Sequence, residues 1–290
     1  MSRLSVTVLG SGGPFSDPRR VSSGYLLSID GTPRILVDAG GGTFQRIGAG
    51  RFDLSGLEQI LLTHMHIDHS GELPAVIMDL YMRDRKRPIA ISGPRGRPGN
   101  DLAPENASPQ PGAIEFVQSL FGDNGAWRYM NTFHGFATHV REVTSDVSDT
   151  SIHGLPVDRA LQDLGVSIYA IAVPHGMMPA VAFRIECDEA SIVFSGDISR
   201  STGAFIALAK DCTLLVHDFA LPERDVPHAH LHAKPSAVGR TAEGSGARTL
   251  LLSHFMPAIE NELAQSVAIV RREYSGRIEI ASDLKTYEVA

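Results

Sequence analysis

Residues 63–69, THMHIDH, put three histidines and an aspartate within six positions, directly behind the apolar run LEQILL. A core cannot bury that many polar rings without partners, and a surface loop gains nothing by crowding them. LEQILLT reads as a strand, so the cluster is expected at a strand's C-terminal end. Imidazole and carboxylate are the ligand types that borderline metals such as zinc take. His64 and His66 are one residue apart and Asp68 adjoins His69, so a tight loop can turn the four toward two neighbouring points.

The same placement recurs later in the chain. VSIYAIAVPHG ends in His175, SIVFSGD in Asp197 and ARTLLLSHF reaches His254. One histidine at a strand end is ordinary. Three separate strand ends with ligand-type residues are hard to reach by coincidence.

Periodicity supplies the scaffold. LSVTVL reads as a strand leading into the GSGGP turn, and SGYLLSID and RILVDAG as a hairpin around DGTP. The glycine turn lacks the third glycine of GxGxxG and precedes a strand, which argues against a dinucleotide site. Leu73, Val76, Ile77 and Leu80 form a helical stripe with Pro74 in the first turn. RPIAISGP is a strand, residues 93–112 an exposed loop and AIEFVQSLF a short helix, while residues 127–163 show no period. AVAFRIE and SIVFSGD pair through CDEA. TGAFIALAK, KPSAVGRTAE and NELAQSVAIVRREY are helices, TLLVHDF and ARTLLLSHF strands, and RIEIASDL the last strand. A strand-rich front and an alternating back predict layered α/β architecture with mixed sheets. Residues 1–290 are read as one domain, with a loop-rich region 93–163 bordering the site. Trp127, Tyr129, Phe133 and His134 are candidates there for pocket lining or for core.

Composition narrows the partners. The chain has 26 basic and 33 acidic residues, net charge −7, which weighs against a dedicated nucleic-acid surface. Cys187 and Cys212 form no CxxC unit and read as buried free thiols. The N-terminus has no long apolar stretch and no segment reaches membrane-span length. A cytoplasmic protein without a membrane partner is expected.

With these residues in place, the chain resembles the metallo-β-lactamase superfamily. The carriers of the likeness are THMHIDH, His175, Asp197 and His254, with ILVDAGGG and its Asp38 near the start. The resemblance implies a four-layer αββα sandwich with a dinuclear site at one edge of its two sheets. By that pattern His64, His66 and His175 hold one divalent ion, Asp68, His69 and His254 hold a second, and Asp197 bridges them. Zinc is the expected metal. Two such ions can acidify water from a pKa of about 15.7 toward about 7, which suits ester hydrolysis and gives Asp68 a catalytic as well as a ligand role.

Within the superfamily, the best-known zinc β-lactamases carry a cysteine where this chain has Asp197, which ranks that activity low. LLVHDFA and HAHLHAKPSAVGRTA resemble the acidic residue and later histidine shared by ribonuclease Z and zinc-dependent arylsulfatases. That likeness casts Asp218 and His232 as an orienting carboxylate and proton donor, with His228 and His230 as alternatives to His232. Bacterial ribonuclease Z inserts a long tRNA-gripping arm between the positions of His175 and Asp197, where this chain has only a hairpin. The expectation is therefore an arylsulfatase- or phosphodiesterase-like hydrolase of a small anionic ester, with no nucleic-acid partner favoured and a homodimer left open. Alternatives are a lactone or thioester hydrolase, ribonuclease Z, and a non-enzymatic metal-sensing module.

Overall fold

The structure, a computed structural model, describes residues 3–98, 109–133, 135–227 and 229–289. His134 and His228, both singled out above, lie outside the described residues. Strands β1 (Leu4–Gly10), β2 (Gly24–Ile29), β3 (Thr32–Val37), β4 (Gln59–Leu61), β5 (Ile89–Pro94) and β6 (Thr138–Val143) build one sheet. Strands β7 (His153–Leu155), β8 (Val166–Val173), β9 (Ala180–Cys187), β10 (Ala190–Phe194), β11 (Leu214–Asp218), β12 (Thr249–Ser253) and β13 (Arg277–Ile280) build the other. Strand β14 (Thr286–Val289) returns to the first sheet beside β1, so each sheet has seven strands.

Strands β3 to β6 run parallel, as do β10 to β13, while the remaining neighbours are antiparallel. Parallel neighbours need a crossover. In the first sheet helices α1 (Thr43–Ala49), α3 (Leu73–Met82) and α4 (Ala113–Phe121) lie in those crossovers. In the second they hold α6 (Gly203–Leu208), α7 (Pro235–Ser245), the single turn α8 (Pro257–Glu260) and α9 (Leu263–Glu273). This is the α/β sandwich expected from the sequence.

Strand alternation sorts the core. Leu26, Leu36 and Ile60 face Leu73, Val76, Ile77 and Leu80 of α3, while Leu27, Ile35 and Val37 face the second sheet's Phe183 and Val193. Each buried aliphatic contributes roughly 1.5–3 kcal/mol, so one register slip would exchange the two cores.

RIEIASDL does not hold the last strand: β14 follows, four residues alternating exposed and buried, too short for periodicity to register. The unassigned stretch contains β6, β7 and the single helical turn α5 (Arg159–Gln162). Both strands are sheet edges with mostly half-buried or exposed residues, which removes the apolar signal. Cys187 and Cys212 are buried and free. No described helix is long and apolar enough to cross a membrane.

Candidate metal centre

The cluster opens where β4 ends. After His66 the chain enters a single helical turn, α2 (Ile67–Ser70), which folds Asp68 and His69 back toward His64. The Ser70 hydroxyl donates to the His66 carbonyl at 2.9 Å and fastens the turn. Asp38, just past β3, holds the loop from beneath. Its carboxylate accepts from the Thr63 N–H at 2.7 Å, the Thr63 hydroxyl at 2.9 Å and His69 Nδ1 at 2.8 Å. These bonds hold Asp38 at φ 59°, a conformation costly for a non-glycine residue.

The second sheet contributes one side chain per strand end. His175 follows β8, Asp197 follows β10 and His254 follows β12 with φ 62°. Gly196, at φ 56°, permits the turn before Asp197, where a Cβ would come 2.8 Å from that of Thr63. Only glycine lets the two sheets approach so closely there.

The ligand-type atoms converge. His66 Nδ1 lies 3.0 Å from His64 Nε2 and 3.3 Å from His175 Nε2. Asp197 Oδ2 lies 3.8 and 3.6 Å from those two Nε2 atoms. The other Asp197 oxygen is 3.3 Å from His69 Nε2 and 3.4 Å from His254 Nε2. Asp68 Oδ2 is 3.7 Å from His69 Nε2 and 3.3 Å from His254 Nε2. Tetrahedral ligands about 2.0–2.2 Å from an ion stand at separations of this order.

Hydrogen bonds set the ring tautomers. His69 Nδ1–H donates to Asp38, His64 Nδ1–H to Thr63 Oγ1 at 3.1 Å and His175 Nδ1–H to the Leu231 carbonyl at 2.9 Å. Each leaves the Nε2 lone pair facing the cluster, the arrangement a metal-binding imidazole requires. Burial and the neighbouring His69 imidazole press the His64 pKa well below its usual value. Burial also opposes charge on His254, yet Asp197, Asp218 and Asp68 outweigh it and lift His254 to about 10. Asp197 is pulled up by burial and held well below the carboxylate range by His254 and His69. These residues fit cations: His69 Nε2 and Asp197 Oδ1 are buried without a hydrogen-bond partner, and unpaired buried polar atoms are expensive.

The family profile of the metallo-beta-lactamase superfamily matches residues 17–254. The chain belongs to the metallo-beta-lactamase superfamily. Its fold implies a dinuclear divalent-metal site and places the chain among metal-dependent hydrolases. Ribonuclease Z of Mycobacterium bovis BCG is 30% identical over 302 residues, covering 99% of this chain and 98% of that protein. Human tRNase Z, short form, superposes with a TM-score of 0.73 at 22% identity over 99% of both chains. The metallo-beta-lactamase fold protein YhfI of Bacillus subtilis gives 0.72 at 20%, again over 99% of both.

These relatives overturn two expectations. The arylsulfatase-type preference gives way, because the end-to-end match is to proteins named ribonuclease Z. The expectation that nucleic acid is no partner falls with it. A net charge sums the whole surface and says nothing about one cleft. The hairpin of β9 and β10 fills the interval between His175 and Asp197. An alignment of 302 residues on a 290-residue chain, however, leaves the M. bovis relative no space for a long insertion there.

Beside this superfamily site stand Asp218 and His232, both buried. His232 Nδ1 donates to Asp218 Oδ2 at 2.7 Å, and Asp218 Oδ1 lies 3.5 Å from His254 Nδ1. The His232 and His254 rings stack at 5.4 Å. Burial opposes the His232 charge, but Asp218 and then Asp197 prevail and raise its pKa. His230 is exposed. A cleft of about 500 Å³ opens over His66, Asp68, His175, Asp197, His232 and His254. None of its described lining comes from residues 93–163. Tyr129 and Phe133 pack edge-on at 5.9 Å, Phe133 meets Tyr81 and Trp127 is partly exposed, all elsewhere. The Leu231 carbonyl was not foreseeable, because a backbone acceptor leaves no mark in residue type.

Proposed function

We propose that the chain is a ribonuclease Z-type phosphodiesterase that hydrolyses RNA, with tRNA the substrate class, using two divalent ions, zinc by ligand chemistry. The observation that carries this reading is the 30% identity to ribonuclease Z along nearly the full length of both proteins. His64, His66 and His175 would hold one ion and Asp68, His69 and His254 the other, with Asp197 within reach of both sets of nitrogens. Bound divalent ions supply Lewis acidity, which acidifies water and offsets charge on a phosphoryl group.

The chain's own groups do the rest. Hydrolysis breaks a P–O bond, and the departing ribose oxygen needs a proton. His232 sits at the cleft with Nδ1 given to Asp218, so its other nitrogen is the one that carries that proton. The carboxylate orients the ring and keeps it protonated nearer neutral pH. Asp38 and Thr63 brace the histidine loop through the Thr63 N–H and His69 bonds to the Asp38 carboxylate.

The test is a precursor tRNA transcript with a 3′ extension, incubated with zinc-loaded protein. Discrete cleavage that chelation abolishes and zinc restores is expected. Failure of metal-replete protein to cut any RNA would overturn the reading.

A further inference from the structure

The cleft has two unlike sides. Its floor is the imidazoles and carboxylates of the metal centre, and a phosphoryl group needs nothing more. Its wall is apolar: Phe15, Leu221, Val226, Leu231 and Met256. We propose that Phe15, with Leu231 and Met256, is a stacking site for one nucleobase of the nucleotide at the scissile phosphate. The proposal rests on the phosphodiesterase reading and names the part of the substrate this wall receives.

Phe15 is half exposed, at 51%, whereas Phe183, Phe194, Phe205 and Phe219 are fully buried. Phe15 and Met256 also border an adjoining cavity of about 150 Å³, so the ring is not enclosed by its own protein. Yet it stands on a fixed base. Gly12 N–H donates to the Val21 carbonyl at 2.8 Å and Gly13 N–H to the Phe255 carbonyl at 3.1 Å. Gly13 packs so closely that a Cβ there would lie 3.0 Å from His254 Cε1. A ring carried just beyond an anchored turn and left open can be covered by a flat partner with little backbone ordering.

Spacing links wall to floor. Phe15 is two residues beyond Gly13, Met256 is two beyond His254, and Leu231 directly precedes His232. Leu231 is also tied to the floor through its carbonyl, which accepts from His175. Leu231 and Met256 therefore adjoin site residues along the chain, and Phe15 lines the same cleft as those residues, so a nucleotide with its phosphate on the floor has its planar base beside this wall. Aromatic, thioether and aliphatic surfaces read a base by its face and not its edge, so this subsite should tolerate all four bases.

Equilibrium binding to the metal-loaded protein tests this with uridine 5′-monophosphate, base-free ribose 5-phosphate and hexyl phosphate. Uridine monophosphate should bind on the order of 5- to 100-fold tighter than ribose 5-phosphate. Phe15→Ala should remove most of that advantage, Phe15→Leu part of it, and Phe15→Trp should keep it. Equal affinity of the first two ligands for wild type overturns the proposal, as does Phe15→Ala weakening both alike. Hexyl phosphate matching uridine monophosphate in affinity and in its response to Phe15→Ala also overturns it, because the wall is then merely greasy. A Phe15-dependent base preference in a protein that cuts no RNA would support the wall while ending the RNA reading. RNA cleavage without any base preference would do the reverse.

Discussion

In the first sheet, four ligand-type side chains come from residues 64–69 of one loop, braced by Asp38. In the second, His175, Asp197 and His254 come from three strand ends spread along the chain, joined there by Asp218. The loop owes its shape to short-range bonds: a helical turn, the Ser70 hydroxyl and the Asp38–Thr63 clasp. The strand ends owe theirs to sheet register. β10, β11 and β12 are parallel neighbours, with Phe194 beside Val216 and Val216 beside Leu251, so their C-terminal ends stop at one edge. A change in the loop should therefore stay local, and a change at the strand ends should reach several groups.

The largest expected effect sets one half against the other. Asp197 faces both groups of nitrogens, whereas Asp68 approaches only His69 and His254. Asp197→Ala should lose both ions and all measurable hydrolysis, while Asp68→Ala should retain one ion, as read by elemental analysis. If Asp68→Ala empties the centre and Asp197→Ala does not, the loop and not the sheet edge organises it.

Next in size is His232→Ala. It should keep the metal and the fold, yet slow cleavage of an ester with a basic leaving group by on the order of 10²–10⁴. A nitrophenyl ester should suffer much less. The His232 pKa is raised, so the acid form persists above the usual histidine range. Wild-type rate should fall as pH climbs through that raised value, and the variant should lack this alkaline limb. Equal slowing of both esters would make His232 a structural group.

Asp218→Asn should be the mildest and the most informative. One carboxylate oxygen meets His232 and the other faces His254. Loss of the charge should weaken metal affinity by about 10- to 100-fold and also blunt the leaving-group dependence. Metal affinity unchanged in a competition titration would confine Asp218 to His232 alone.

Much of this site was legible because its residue types are rare at strand ends. THMHIDH announces itself, and His175, Asp197 and His254 each close an apolar run. The groups that set the tautomers were harder to see. Asp38 could be named only by resemblance, Thr63 looks like any strand-end threonine, and the Leu231 carbonyl has no sequence signal. The substrate expectation gave way for two reasons. Net charge sums the whole surface and is silent about one cleft. A short His175–Asp197 interval does not set this chain apart from the M. bovis relative, which aligns without space for a long insertion.

By itself, the sequence determined the layering, through apolar alternation that gives each strand two distinct faces, and the chemistry, through the ligand types at strand ends. Tertiary structure decided how those ligands group and which nitrogen each ring presents. It also decided that Phe15, nearly fifty residues before the histidine loop, borders the same cleft. The physical reason is range: periodicity and ligand type act over a few neighbouring residues, whereas strand register and a 2.7 Å bond from His232 to Asp218 exist only once distant segments have packed.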